Sequence, residues 1–334
     1  MHAHGDHFHK PVSKLLSLIL IFFGIIIFNV SLPHAQVTQL KETTENIEVI
    51  TNTNQEIKID PTDPILDSIS IGSKIETQDL GNNQFTISDI YRLPGIKISL
   101  LIFVLACLII TKGQAVGSLV SIIFSILIIF NFTLPLILNG YNPILICLLS
   151  CVALVPCSFY LSHGFNKKAH LAAGSSLITL AIAGFLTIIF SKLTSLTGLS
   201  SEEARFLMFG ETANLDFKGI LFGGIMISLI GILDDITITQ TSIVEKLKKN
   251  NNKESFKQAM HVGQDHIASL INTIFLIYAG AVLPTLLLFA SNPQSLAGLL
   301  NFEPLAEEII RSIIGSLSLI LAVPISTWLA DKNY

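Results

Sequence analysis

Between Asp89 and Glu202 the sequence contains no acidic residue at all, a stretch too long for a water-facing surface. Charge is scarce throughout: 13% of the 334 residues are Asp, Glu, Lys or Arg, about half the usual share of a soluble domain. Cysteine is scarce too. Cys107, Cys147, Cys151 and Cys157 all fall within apolar runs, so no disulfide framework is suggested. A net charge of −4 without a large basic patch gives no support to nucleic-acid binding. Catalytic signatures are missing as well. There is no P-loop, no H-E-x-x-H and no Gly-x-Gly-Asp, and Asp234-Asp235 lacks the further spaced Asp of prenyl-diphosphate sites. The sequence therefore implies neither an enzyme nor a cofactor.

What is present is hydrophobic residue, 51% of the chain, gathered in runs of 15 to 24 positions. A helix needs roughly 20 such residues to cross ~30 Å of hydrocarbon. Spans are predicted at 96–111, 116–138, 143–162, 171–190, 217–240, 266–290 and 307–330. A further apolar run, from Leu15 to about Val30, reads as an anchor or signal. The anchor is favoured, because the only cleavage candidate, ending at Ala35, has Pro33 where a small residue is wanted. Residues 32–94 are polar, with alternating runs at Ile69-Ser70-Ile71 and Phe85-Thr86-Ile87 punctuated by Pro61, Pro64, Gly72 and Gly81, which argues short strands. Lys112, Lys167, Lys168 and the cluster Lys246, Lys248, Lys249, Lys253 and Lys257 alternate with the spans so as to share one side, joined by Lys10, Lys14 and Lys332. By the positive-inside rule that side is cytoplasmic. The expected fold is an all-α polytopic membrane bundle of about seven core transmembrane helices plus an N-terminal anchor or signal helix, with a small β-rich extracytoplasmic domain. Its parts are a His-rich cytoplasmic tail (1–14), the anchor or signal (15–31), the extracytoplasmic segment (32–94) and the transmembrane domain (95–334).

Acidic residues within a bilayer usually face a bundle interior or a water-filled cavity. Here they concentrate in the last three spans, at Asp234, Asp235, Asp265, Glu307 and Glu308. On a helix, Asp234 shares a face with Thr237 and Thr241, and Asp235 with Thr239 and Ser242. Asp265, Ser269 and Asn272 form a second stripe on the next span, with His266 and Thr273 alongside. Carboxylates with hydroxyls suit a hard cation or a proton relay, and a histidine beside an aspartate can shuttle a proton. The two stripes are expected to face one another. The competing reading makes Asp234 and Asp235 a wet helix end and Asp265 an ordinary first-turn acid.

The sequence carries weaker signals as well. Glu307 and Arg311 have the favourable i, i+4 order of a structural helix pair. Pro135, Pro156, Pro284 and Pro324 can kink their spans. Cys147 and Cys151 share a helix face, which suits buried packing more than a soft metal. His2, His4, His7 and His9 form a metal-scavenging tail at most, with irregular spacing and weak binding. Residues 118–135 and 269–284 share Ser-Leu, Ile-Phe and Leu-Pro at similar offsets, a pattern that Leu/Ile-rich helices also produce by chance.

The segments His163-Gly-Phe-Asn-Lys-Lys168, Gly198-Leu-Ser-Ser-Glu-Glu203, Gly231-Ile-Leu-Asp-Asp-Ile-Thr-Ile-Thr-Gln240, Gly263-Gln-Asp-His-Ile-Ala-Ser269, Tyr278-Ala-Gly-Ala-Val-Leu-Pro284 and Glu307-Glu-Ile-Ile-Arg311 occur in order. Together they resemble the bacterial YibE/F family of multispanning membrane proteins, over about residues 90 to 330. The resemblance implies an inner-membrane protein, sometimes described as a transporter, and speaks to fold and location more than to activity. It carries Asp235, Asp265, Asn272 and Thr273 onto family motif positions. Gln264 stands where the family usually has Arg, so no fixed counter-charge for Asp265 follows, and the extracytoplasmic segment is shorter than the family's. The function expected is a permease or exporter of a small solute or ion in the inner membrane, coupled to protons or cations through Asp234, Asp235, Asp265 and His266. The alternative is a non-transporting scaffold or assembly factor that binds a partner through its extracytoplasmic segment. The bilayer and an unknown small solute or ion are the expected partners, and a homo-oligomer is left open.

Overall fold

The structure, a computed structural model, describes residues 24, 27, 29–30, 34–42, 47–53, 55–59, 62–81, 84–111, 113–209, 214–251, 253–292 and 295–334. The tail with His2, His4, His7 and His9, most of the 15–31 segment and Lys112 lie outside the described residues. The chain divides into two compact units, Met1–Val116 and Gly117–Tyr334.

The first unit holds an antiparallel sheet of β1 (Ala35–Glu42), β2 (Ile47–Thr51), β3 (Glu56–Ile59), β4 (Lys74–Gly81) and β5 (Gln84–Ile90), in the order β3-β2-β1-β4-β5. Alternation sends Val37, Val49, Ile57, Ile59 and Ile75 to one face, where they bury with Ala35 and Ile69. The two edge strands, β3 and β5, lie against each other, so the sheet curls around this core and shelters its edges. Phe85-Thr86-Ile87 falls in β5 as expected. Ile69-Ser70-Ile71 is not a strand. It follows a 3-10 turn, Pro64–Ser68, capped by Asp63, and enters a turn at Gly72 with φ +97°. Only Ile69 is buried, so the apparent alternation is one core residue beside a turn. Helix α1 (Leu93–Thr111) follows the sheet, and none of its residues is buried.

In the second unit the chain continues through α2 (Gly113–Ile128), a π-helical turn (Ile129–Thr133), α3 (Leu134–Leu138), α4 (Pro143–His163), α5 (Lys167–Leu193), α6 (Glu202–Leu207), α7 (Phe217–Lys249), α8 (Ser255–Ala281), α9 (Leu283–Ser291), α10 (Leu296–Leu300) and α11 (Glu303–Asn333). Among the described residues six helices are long and apolar enough to cross a membrane: α1, the α2–α3 run from Val116, α4, α5, α7 and α11. The pair α8 and α9 passes the same test together but bends by 64° at Val282. The continuous span expected at 266–290 is therefore broken just before Pro284, whose missing N–H and ring weaken a helix, although Pro156 and Pro324 sit inside the unbroken α4 and α11. At the matching Leu134-Pro135 step the chain does not break. The π turn ahead of the proline takes up the missing backbone bond.

Helices α5, α7 and α11 pack against one another, with α4 and α8 flanking them. Lipid gives helices no hydrophobic reason to associate, so close approach through small residues matters. Helix α5 buries Ala169, Ala172, Ala173, Ser175, Ser176, Ala183 and Gly184. Gly223 of α7 receives Cys147, whose sulfur would lie 2.2 Å from a Cβ there. Gly263 of α8 meets Val323 of α11, and Gly117 lies against the backbone carbonyl of Leu161. Bundle hydroxyls mostly turn back onto their own helices: Thr187, Thr237, Thr241, Ser318 and Thr327 each donate to the carbonyl four residues earlier.

The ends of the unit differ in chemistry. At one end Lys248 pairs with Asp331 at 2.9 Å, Ser255 donates to the same carboxylate, and Lys167 donates to the Asn333 carbonyl and lies over the Tyr334 ring. At the other, Glu303 accepts from the Thr197 amide and hydroxyl. There Gly198, at φ +78°, lies so close to the Phe217 carbonyl that a Cβ would approach it to 2.2 Å.

A Cβ at Gly117 would fall 2.2 Å from the Leu161 carbonyl oxygen, a backbone atom that cannot swing aside. Gly117→Ala is therefore expected to destabilise the bundle by about 1–3 kcal/mol, read as a lower unfolding temperature in detergent. Gly224→Ala, where a Cβ meets nothing within 4 Å, serves as the neutral comparison.

Candidate functional site

Of the three aspartates expected at the coupling site, the most enclosed is Asp234, about midway along α7. Its Oδ2 accepts a 2.6 Å hydrogen bond from the Ser158 hydroxyl of α4. Its Oδ1 is buried, has no hydrogen-bond partner among the described residues, and lies 3.8 Å from Nε2 of His163. The side chains of His163 and Asp234 are 32% and 21% exposed, so the pair sits at the margin of the packed interior with a narrow opening.

The turn that carries His163 explains why the imidazole is held there. His163 ends α4, and Gly164 then takes φ +78°, which an L side chain resists, while its amide closes on the Tyr160 carbonyl. Asn166 caps α5 by accepting from the Ala169 amide and donates to the His163 carbonyl at 2.7 Å. Next to it, the Tyr160 hydroxyl and His170 Nδ1 are 2.8 Å apart, and the Tyr160 ring stacks on Phe165. The segment His163-Gly-Phe-Asn-Lys-Lys168 is thus a rigid corner that places a histidine beside a carboxylate. Neither Ser158 nor His163 was expected from the sequence. A histidine closing an apolar run, in a stretch without any acid, was the available signal.

Asp235 follows Asp234 by one position and so points about 100° away around the helix. It is exposed, and with Ser228 and Gly231 it lines a cleft of about 360 Å³ between α7 and α8, which Leu270, Thr273, Ile274, Ile277 and Tyr278 complete from the other helix. Of the predicted residues, the structure brings Asp235 and Thr273 together. It places Asp234 on a different side of α7, toward α4.

The two oxygen-bearing stripes do not face each other, which corrects that expectation. Helix α8 turns Ala259, Gly263 and Ile274 inward, so Asp265, Ser269 and Asn272, part-way round the helix, remain exposed. Asp265 is 81% exposed and lies 3.8 Å from His261 of its own helix, and exposed pairs of this kind add little stability. His266 is half-buried. The hydroxyls below Asp234 have different roles from those expected. Thr237, fully buried, donates to the Leu233 carbonyl, and its oxygen lies 2.9 Å from the Ser176 hydroxyl, joining α7 to α5. Thr241 is also buried, and Thr239 is half-buried. They pack helices together and offer no open ladder of ligands.

At the opposite end, Arg311 contacts Glu307 at 2.6 Å and Glu308 at 3.4 Å, the Ser200 hydroxyl donates to Glu307, and the guanidinium lies over the Tyr278 ring at 5.8 Å. The i, i+4 pair read from the sequence is present, extended into a three-residue charged group. The cysteines Cys147 and Cys151 are buried in apolar contacts.

No curated protein and no solved structure matches this chain. The family model described as YibE/F-like protein matches residues 99–334, which contain the Asp234 corner, the α7–α8 cleft and the Arg311 group. The chain belongs to the YibE/F-like family.

Proposed function

We propose that the chain is a permease or exporter of a small solute or ion in the cytoplasmic membrane, coupled to protons or cations at its intramembrane aspartates. In this reading the bent α8–α9 pair is the seventh span of the core, and the lysine-bearing end of the bundle faces the cytoplasm. The residues before Leu15 then lie in the cytoplasm, and the sheet lies outside.

The observation that carries the proposal is the state of the Asp234 carboxyl. A purely structural buried carboxylate is expected to have both oxygens closed by donors. Asp234 has one oxygen held by Ser158 and the other facing a histidine beyond hydrogen-bond reach. The first bond fixes the group, and the second oxygen is free to take a proton. When Asp234 gives that proton to His163, the carboxylate and the imidazolium form at ion-pair distance. The imidazolium then releases the proton at the end of α4, beside the Lys167-Lys168 turn. A permease needs such a group, one whose charge changes without unfolding its surroundings.

Two measurements test this. Intracellular elements and metabolites would be compared in a strain lacking the protein and complemented with wild type, Asp234→Asn or Asp235→Asn. Each variant is expected to insert normally yet leave the strain with the deletion profile, at least one solute differing more than twofold from wild type. Profiles equal to wild type in both variants would sink the proposal. The sheet, which folds around its own core, favours the scaffold as the second reading. Deleting 36–90 separates the two: a permease keeps most of its flux, whereas a scaffold loses its function.

A further inference from the structure

The cleft between α7 and α8 has a lining that narrows what it can hold. Its volume of about 360 Å³ falls within the range of small-molecule sites, roughly 300–1,000 Å³. Gly231, Ile232, Leu270, Ile274 and Ile277 make its walls apolar. Two of the hydroxyls at hand are already committed: Ser228 donates to the Ile225 carbonyl and Thr273 to the Ser269 carbonyl. The Asp235 carboxylate is the charged group in the lining, and among the described residues no donor or cation stands within bonding distance of it.

These features exclude most ligand classes in turn. A hard metal ion wants about six oxygens, and the lining offers one carboxylate and the hydroxyls of Ser228, Thr273 and Tyr278, spread among hydrocarbon. A sugar or other polar neutral solute would leave most of its hydroxyls without partners. An anion meets Asp235 directly. What remains is a molecule with an apolar body and one positive centre. The far end of the cleft sets its orientation. There the Tyr278 ring lies under the Arg311 guanidinium, whose charge Glu307 and Glu308 already answer, so Asp235 is the unanswered charge of the lining; the positive centre belongs there and the body along Leu270, Ile274 and Ile277.

We propose that the α7–α8 cleft binds an amphipathic organic cation, with Asp235 as its counter-ion and the apolar walls holding its body. The assignment rests on the permease reading for its role in transport and names the class of solute carried.

The test is saturable binding of tritiated tetraphenylphosphonium to the full-length protein in lipid nanodiscs, with protein-free discs as background. Wild type is expected to show one saturable site per chain, and Asp235→Asn to weaken it at least tenfold. A second variant guards against misfolding. A Cβ at Gly231 meets nothing within 4 Å, so Gly231→Leu grows into the cleft without a clash and is expected to remove binding. Gly224→Leu, on the same helix with equal space but outside the lining, should bind as wild type. Tetraphenylborate, of the same shape and opposite charge, measured separately, should show no saturable site. The assignment is overturned if wild type binds no more than empty discs, or if Asp235→Asn and Gly231→Leu bind as tightly as wild type. Absent binding beside a persisting Asp234→Asn defect in cells removes this inference and leaves the permease reading. Cleft binding as described, with cell profiles unaffected by any variant, supports the site and removes the permease reading alone.

Discussion

A carboxylate inside a bundle of apolar helices must find its hydrogen-bond donors on neighbouring helices, because hydrocarbon supplies none. Asp234 meets that demand through a single inter-helix contact, the hydroxyl of Ser158. The contact exists because α4 and α7 run alongside each other closely enough. Cys147 fills the notch at Gly223, and eleven residues further along both helices, three turns on, Ser158 reaches Asp234. One steric fit at the start of the pair thus sets the register that delivers the polar contact near its end. The second carboxylate oxygen is left buried and facing His163 at 3.8 Å.

The polar groups of the bundle fall into two kinds. Most of the serines and threonines spend their protons on their own helix backbone and use their small volume to bring helices together, as Thr237 does against Ser176. The ionisable groups are fewer and reach across helices, as Asp234 does to α4 and Arg311 does to Tyr278 of α8. Chemistry that changes with proton or solute therefore belongs to the second kind. Substitutions in the first kind act on packing.

Helical spans were legible because bilayer thickness imposes a length and an apolar character; among the described residues six of the seven predicted core spans fall on membrane-length helical runs and the seventh, 266–290, on the bent α8–α9 pair. The facing of polar stripes was not legible. A period of 3.6 says which residues share a face of α7 or α8, but not which neighbour that face meets. For α8 the deciding residues were Ala259 and Gly263, whose small size lets α11 and α7 approach and so turns Asp265 outward. Small residues on the other side of the helix were the better guide to its buried face than the conspicuous acids. His163 escaped for a related reason. It lies four residues before Lys167 in the sequence, yet the Gly164 turn and the Asn166 cap hold it at the end of α4 beside a residue 71 positions away. Ile69-Ser70-Ile71 shows the opposite error, a short alternation without a partner strand.

The break at Val282 has a geometric result for the membrane itself. Helix α8 is 27 residues long, about 40 Å, yet it is apolar enough to cross a membrane only when taken together with α9. Turned by 64°, the nine residues of α9 advance only about 6 Å along the α8 axis. The arm therefore runs nearly crosswise to α8, with Leu283, Leu287 and Leu288 exposed. In the permease reading such an arm spreads apolar surface sideways and adds little to the depth that the pair can span.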